Sequence, residues 1–360
     1  MPQEFQNIPI DPWIASSLLQ KSIRRGEADV AVAAAKSFIR QRGNAIWSKL
    51  IVIACEDVGL GDLNLVSKVI RLSLNAELRL DAGGDEQVAL ALCEDLANAV
   101  KDRSADYLWI SASRHPGWRG VRETIGTLSI NQSIRIATNP CEPFDRRAVA
   151  AWYASGFNEE SSALRDGDLC GLFGAFKASG VPEELADDLY LAAKKTRRPL
   201  VVMLAVLWHM LANDTCNSSV VICPTLEPRS DDRIPLYALD KHTRIGKRAI
   251  STYVRDCPEI RRVFARYLPA FLARSAGCLA VFYAEGVLLT QRLEWGQSKP
   301  LEAICNDADL LNAGCPASGI QPIIETVRNN IGELNVIRRR LFDREYPTAL
   351  THRVFEEVGP

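Results

Sequence analysis

Helix-length apolar periodicity, broken at short intervals by Gly, Pro and Asn, is the feature that most limits what this chain can fold into. Asp11-Pro12 reads as an N-cap with proline at the first helical position. That pairing satisfies an open backbone N–H and presets φ for the helix. Ile14, Leu18, Leu19 and Ile23 then recur at the spacing of one helix face. Gly26 ends this helix, and an Ala-rich second helix follows over 29–42, with a third from 45 to about 57. Asp62 reads as the cap of a helix running through 78, and another spans 86–100 after Gly83-Gly84. The same pattern predicts helices over 107–113, 145–155, 168–178, 182–196, 199–212, 244–255, 258–275, 279–294 and 320–342. One stretch differs: Ser218-Ser219-Val220-Val221-Ile222 is short and β-branched, which admits a strand. No fixed-period repeat is present, which argues against a solenoid. An all-α helical assembly follows, with at most a short β element near 218–239.

Size and composition narrow the function classes. A length of 360 residues favours two domains and allows three. Gly83-Gly84 and 213–235 are candidate boundaries. The expected segments are 1–105, bounded by the extent of the motif series and resemblance described below, a helical continuation over 106–212, and 213–360. Lys and Arg number 43 against 44 Asp and Glu, so whole-molecule charge does not drive binding to nucleic acid or membranes, although local patches still can. The apolar run at 200–210 is too short to span a bilayer and reads as a buried core helix. Residues 1–10 lack a basic region followed by an apolar core, so no signal peptide is expected. The ten cysteines include no Cys-x-x-Cys pair and none near a His pair at zinc spacing. Buried thiols in a reducing cytoplasm are therefore expected, with no metal site, no cofactor and no membrane partner. His115 reads as a turn residue and His209 as core.

Three motifs stand in order near the N-terminus. They are Lys21-Ser22-Ile23-Arg24, then Asp29-Val30-Ala31-Val32, then Ala54-Cys55-Glu56-Asp57-Val58-Gly59 with Asp62 close behind. A weaker echo follows in Leu92-Cys93-Glu94-Asp95-Leu96-Ala97, Lys101 and Ser104. This series resembles the helical, clamp-loader-collar-like C-terminal region of the replication-associated recombination protein A (RarA/MgsA) ATPases, over about residues 10–105. Arg25 stands where that family has Gly, and Ser48-Lys49 stands where it usually has paired arginines. In the family an AAA+ motor precedes this region; here the resemblance starts at about residue 10, so a collar standing without its motor is expected. The phosphate loop Gly-x-x-x-x-Gly-Lys-[Ser/Thr] does not occur. Gly246-Lys247 comes nearest, but Arg248 follows it and Lys241 occupies the glycine position. ATP hydrolysis and catalytic residues are therefore not expected. The resemblance implies a homo-oligomer and work alongside an AAA+ ATPase or a single-stranded-DNA-binding protein.

The motifs also have a direct physical reading. Lys21 and Arg24 are three residues apart on one helix face, and Glu56 and Asp57 close a helix just before Gly59. Carboxylates at a helix C-terminus oppose the helix dipole unless they are compensated. Pairing of Glu56 or Asp57 with Lys21 or Arg24 across two packed helices is the expectation, with four solvent-facing charges as the alternative.

The second distinctive segment is Lys241-His242-Thr243-Arg244-Ile245-Gly246-Lys247-Arg248. Arg244, Arg248, Ser251 and Arg255 fall on one helical face, and residues 240–266 hold eight Lys/Arg against three Asp/Glu. Three readings are open: a phosphate-binding edge using Thr243 and a helix N-terminus, a subunit-interface patch, or a solvated helix face. The leading functional expectation is a non-motor oligomerisation or adaptor protein in DNA replication, recombination or repair. DNA or phosphate would be bound by Lys241, His242, Thr243, Arg244, Lys247, Arg248 and Arg255. The alternatives are an enzyme acting on a nucleotide or nucleic acid around His242, whose imidazole titrates near neutrality, and an assembly component of a mobile-element or defence system.

Overall fold

Asp11 caps the first helix as its sequence suggests, accepting from the backbone N–H groups of Trp13 and Ile14 at 2.8 and 2.9 Å. The computed structural model describes residues 10–157, 166–212, 218–223 and 234–347. In chain order these form α1 (Pro12–Arg24), α2 (Ala28–Arg42), α3 (Ala45–Ile53), α4 (Leu63–Leu74), α5 (Ala76–Asp81), α6 (Asp85–Asn98) and α7 (Ser104–Arg114). Next come α8 (Arg119–Gly126), α9 (Ile130–Thr138), α10 (Phe144–Ser155), α11 (Leu169–Ala178), α12 (Glu183–Thr196), α13 (Pro199–Ala212) and β1 (Ser219–Ile222). The remainder is α14 (Arg244–Asp256), α15 (Pro258–Tyr267), α16 (Ala273–Val281), β2 (Gln291–Glu294), α17 (Ser298–Asn312), α18 (Ala317–Asn329) and α19 (Ile331–Glu345). The fold is all-α with one short two-stranded element.

The chain divides into two units, which differ from the three segments expected. The first comprises Met1–Pro228 and Leu289–Asn312; the second comprises Arg229–Leu288 and Ala313–Pro360. No boundary falls at 105, and the expected break over 213–235 lies largely outside the described residues.

In the first unit α13 is the centre of the core. Val201 through Leu207 are completely buried, as its all-round apolar sequence requires. No helix among the described residues is long and apolar enough to cross a membrane.

Several expected helices are shorter than their periodicity suggests. Asn75 adopts an extended backbone and accepts from Glu77 and Leu78 N–H, which ends α4 and starts α5 inside the expected 62–78 helix. Asn330, at φ −114° and ψ 18° with its side-chain amide donating to the Thr326 carbonyl at 2.8 Å, separates α18 from α19 within 320–342. The expected 258–275 helix divides at Leu268, whose extended backbone precedes Pro269. The expected helix over 279–294 is a larger departure. There α16 passes through a π-helical turn, Phe282–Gly286, and the chain then extends into β2. β2 pairs antiparallel with β1, setting Val220 opposite Leu293 and Ile222 opposite Gln291. A partner some seventy residues away decides that conformation, and local periodicity does not report it. Three helices, α8, α9 and α17, were not expected, although the capping box of Ser129 and Gln132 marks the start of α9.

Candidate functional site

The N-terminal motifs meet in a buried ion cluster in the first unit. α1 carries Arg24, and residues 54–58 form a π-helical turn after α3 that carries Glu56 and Asp57. Arg24 Nε lies 2.5 Å from Asp57 Oδ1, and its Nη2 lies 2.6 Å from Glu56 Oε1. The expected pairing between the two motifs is present, carried by Arg24. Gln20 donates to Asp57 Oδ2 at 3.1 Å and accepts from Lys49 Nζ at 2.6 Å. Lys21 is buried, and the buried Ser22 hydroxyl donates to the Leu19 carbonyl at 3.0 Å.

Gly59 completes the arrangement. Its φ is +46°, and a Cβ there would sit 2.7 Å from the Asp102 carbonyl oxygen. With glycine the loop before α7 docks directly on the carboxylate turn, and Asp102 N–H donates to the carbonyls of Asp57 and Val58, each at 3.1 Å. That docking brings Arg103 onto the cluster. Its Nη1 lies 2.5 Å from Asp57 and 3.2 Å from Glu56, and its Nη2 pairs with Asp106. The side chains of Arg103 and Asp57 are fully buried. Sequence reasoning missed Arg103. Its neighbours Lys101 and Ser104 belonged to the weaker echo, but nothing local tied them to Asp57.

Three carboxylates thus share two guanidinium groups, and the charge surplus falls unevenly. Burial favours a protonated Glu56, but the charges of Arg24, Arg103 and Lys49, with a hydrogen bond from Gln20, hold its pKa down to about 2. Asp106 is pushed up to about 7 by burial; Arg103 opposes this, while Glu56 and Asp57 add to it. Beside the cluster, burial pushes Asp102 up to about 6 despite hydrogen bonds from Ser104, Trp295 and Leu60. Lys101 is held down to about 8 by burial, with Asp57 opposing. Its ammonium donates to the carbonyls of Ala97, at 2.9 Å, and Ala99. This arrangement stabilises helix ends and ion pairs; its dense mutual contacts mark a structural core.

A pH dependence follows. Glu56 has a lowered pKa, so its contribution is present above about 4.5 and is lost as pH falls through about 2. Asp102 and Asp106 have raised pKa values, so their contributions are present below about 4 and are lost as pH rises through about 6 and 7. The first unit should therefore be more stable at pH 5 than at pH 7.5, by up to about 4 kcal/mol. All seven tryptophans lie in the first unit, so urea unfolding followed by tryptophan fluorescence reads it selectively. Asp106→Asn should flatten the slope; an unaltered slope in that variant would remove Asp106 as its source.

A groove of about 950 Å³ lies elsewhere in the first unit, lined by residues including Ser67, Lys68, Arg71 and Trp208. Its cations are already neutralised: Lys68 pairs with Asp95, and Arg71 pairs with Glu184 and Asp188.

The basic segment belongs to the second unit, whose described residues hold fourteen Lys/Arg against eight Asp/Glu. Charge balance over the whole chain conceals this excess. Thr243 caps α14, accepting from Gly246 N–H at 3.0 Å and donating to the Asp240 carbonyl at 3.1 Å. It is fully buried, and Gly246 packs so tightly on the Asp240 backbone that a Cβ would collide with it. The helix N-terminus is therefore filled by its own cap and loop. Thr243 does not fit the expected role of phosphate donor.

The other expected ligands are scattered in their engagement. Lys241 Nζ sits 4.2 Å over the Phe282 ring. His242 is exposed, with its backbone N–H donating to Asp240 Oδ1 at 2.8 Å. Arg244 pairs with Glu345, and Arg255 pairs with Asp256 at 2.6 Å. Lys247, Arg248, Arg261, Arg262, Arg266 and Arg274 are exposed, and none forms an ion pair among the described residues. The last four were not among the expected site residues, although 261, 262 and 266 contributed to the charge excess noted in the sequence.

Cys257, Glu259 and Glu333 in the same unit bring three donor atoms within 4.8 Å of one another, a set that could hold a divalent cation. Burial and the hydrogen bond with Glu333 push the thiol up, which keeps it neutral. No sequence spacing reveals this set, because Glu333 comes from a different helix.

Fold and sites together define an all-α protein with an arginine–carboxylate cluster buried in one unit and an open basic surface on the other. No protein-family model matches the chain, and comparison with curated proteins and with solved structures returns no match.

Proposed function

We propose that this chain is a non-motor helical adaptor whose second unit binds the phosphate backbone of a nucleic acid. The observation that carries this reading is the set of exposed cations on α14, α15 and α16 that lack ion-pair partners among the described residues. Cations engaged in structural pairs are poor ligands for phosphate, whereas unpaired ones gain directly from it by releasing condensed counterions. The capped N-terminus of α14 narrows the contact to side-chain charge, chiefly Lys247 and Arg248.

The resemblance of residues 10–105 to the RarA-type collar supports placing this binding in DNA replication, recombination or repair. In that reading the first unit supplies self-association or docking onto an AAA+ ATPase or a single-stranded-DNA-binding protein. The buried cluster of Arg24, Asp57 and Arg103 serves there as scaffold. A cytoplasmic location accords with it.

The test is the double variant Lys247→Glu/Arg248→Glu. Fluorescence anisotropy with a labelled oligonucleotide at low salt should show an affinity loss of about tenfold or more. Circular dichroism should stay unchanged, because both side chains are exposed. Equal affinity in wild type and variant would move the contact away from α14 and contradict this assignment.

A further inference from the structure

Phe271 is 81% exposed in the second unit. Single exposed apolar side chains are ordinary on protein surfaces, so exposure alone means little. Its setting is what matters. Phe271 lies in the turn between α15 and α16, closed by Leu272 N–H donating to the Pro269 carbonyl at 3.0 Å. The turn is anchored on both sides. Tyr267 packs against Gly319 and Leu272 against Gly314, so closely that a Cβ at either glycine would meet them at 2.7 or 2.6 Å. Phe271 is thus presented from a fixed turn and not from a loose loop.

Charge surrounds it. Arg266 precedes it in the last turn of α15, and Arg274 follows it in the first turn of α16; both are exposed and without ion pairs among the described residues. Burial raises the Cys278 thiol, and Lys241, Arg274 and Lys247 jointly oppose that rise. The geometry agrees that α14 and α16 are packed together: a Cβ on Gly277 of α16 would meet Val254 and Ile250 of α14 at 2.6 and 3.7 Å. An occupant that is anionic and also offers a flat apolar face would engage the ring together with the cations beside it. An unpaired polynucleotide strand has both, since every base carries a π-face beside its phosphate. A duplex has its bases stacked away, and an isolated phosphate has no face to offer.

We propose that Phe271 is a stacking platform for an unpaired nucleobase, with Arg266 and Arg274 holding the adjoining phosphates. The proposal rests on the nucleic-acid reading above and makes it specific for single strands.

The test compares the full chain with Phe271→Ala, Phe271→Leu and Phe271→Trp. Probes are oligothymidylate and oligouridylate of about twelve nucleotides, a duplex of equal length, and phosphatidylserine vesicles. Wild type should bind the single strands more tightly than the duplex, whichever of the DNA and RNA strands is preferred. Phe271→Ala and Phe271→Leu should each lose about tenfold in single-strand affinity, while duplex binding and its salt dependence stay put. Phe271→Trp should retain affinity. It also places a tryptophan where the second unit has none, and base stacking should quench it. Single-strand binding that is equally tight in all four proteins would overturn the platform while leaving the phosphate-binding reading intact. Absence of oligonucleotide binding in wild type would overturn both. Vesicle binding retained by Phe271→Leu, with no preference for single strands, would assign the patch to a lipid surface and overturn the proposal.

Discussion

Replacing Arg103 with alanine is expected to destabilise the first unit by about 3–5 kcal/mol at pH 7.5. Arg103 is fully buried and touches Glu56, Asp57 and Asp106. Its removal leaves Arg24 as the one guanidinium against three carboxylates, with Lys49 and Lys101 acting on Glu56 and Asp57 from beside the cluster. Truncating one partner of a buried pair costs far more than the pair contributes net, because the stranded charge keeps its desolvation penalty. The loss should shrink at pH 5, where Asp106 takes up a proton. Arg103→Lys should fall in between, since an ammonium cannot bridge the carboxylates in the fixed planar geometry of a guanidinium. Urea unfolding followed by tryptophan fluorescence checks all three. An Arg103→Ala midpoint equal to wild type would mean that the cluster does not hold the unit together.

The same cluster shows how far the sequence could be read. Arg24 and the Glu56-Asp57 pair were legible because helix ends impose a local electrostatic demand that a nearby basic helix face can answer. Arg103 was not legible. Its position depends on Gly59 admitting the loop before α7, an approach between segments some forty residues apart. Helices were legible wherever apolar spacing was regular, and α13 followed from being apolar on every side. Their ends were less so, since Asn75 and Asn330 continue the periodicity while breaking the backbone. β2 was invisible because its conformation is decided by β1. The basic surface was half visible: α14 displayed its face in sequence, but the loss of Thr243 to a cap and the gain of Arg274 and Phe271 required the packing of α14 to α16. The acidic remainder of the chain cancelled the second unit's excess in the whole-chain charge, so only the local count over 240–266 displayed it.

The second large effect concerns that surface. A strand held by cations releases counterions on binding, so affinity falls as a power of salt concentration. If about four of the six unpaired cations contact phosphates, the slope of log K against log salt for a single strand is about −3. Raising salt from about 50 to about 200 mM would then weaken binding by roughly fifty- to sixtyfold. Each cation removed should make the slope shallower by about 0.7, so the slopes of Lys247→Glu/Arg248→Glu and of Arg274→Gln report whether each residue contacts phosphate. A patch that meets another protein through apolar contact has no reason to show this dependence; an enzyme acting on a nucleic acid around His242 would share it, and is set apart by His242→Ala losing activity while keeping affinity.

The measurement that bears most directly on the adaptor reading is the single-strand binding constant of the full chain across that salt series. Binding should be tight at the lowest salt, and log K should fall linearly with log salt at a slope near −3. Absence of binding at the lowest salt, or an affinity indifferent to salt, would contradict it.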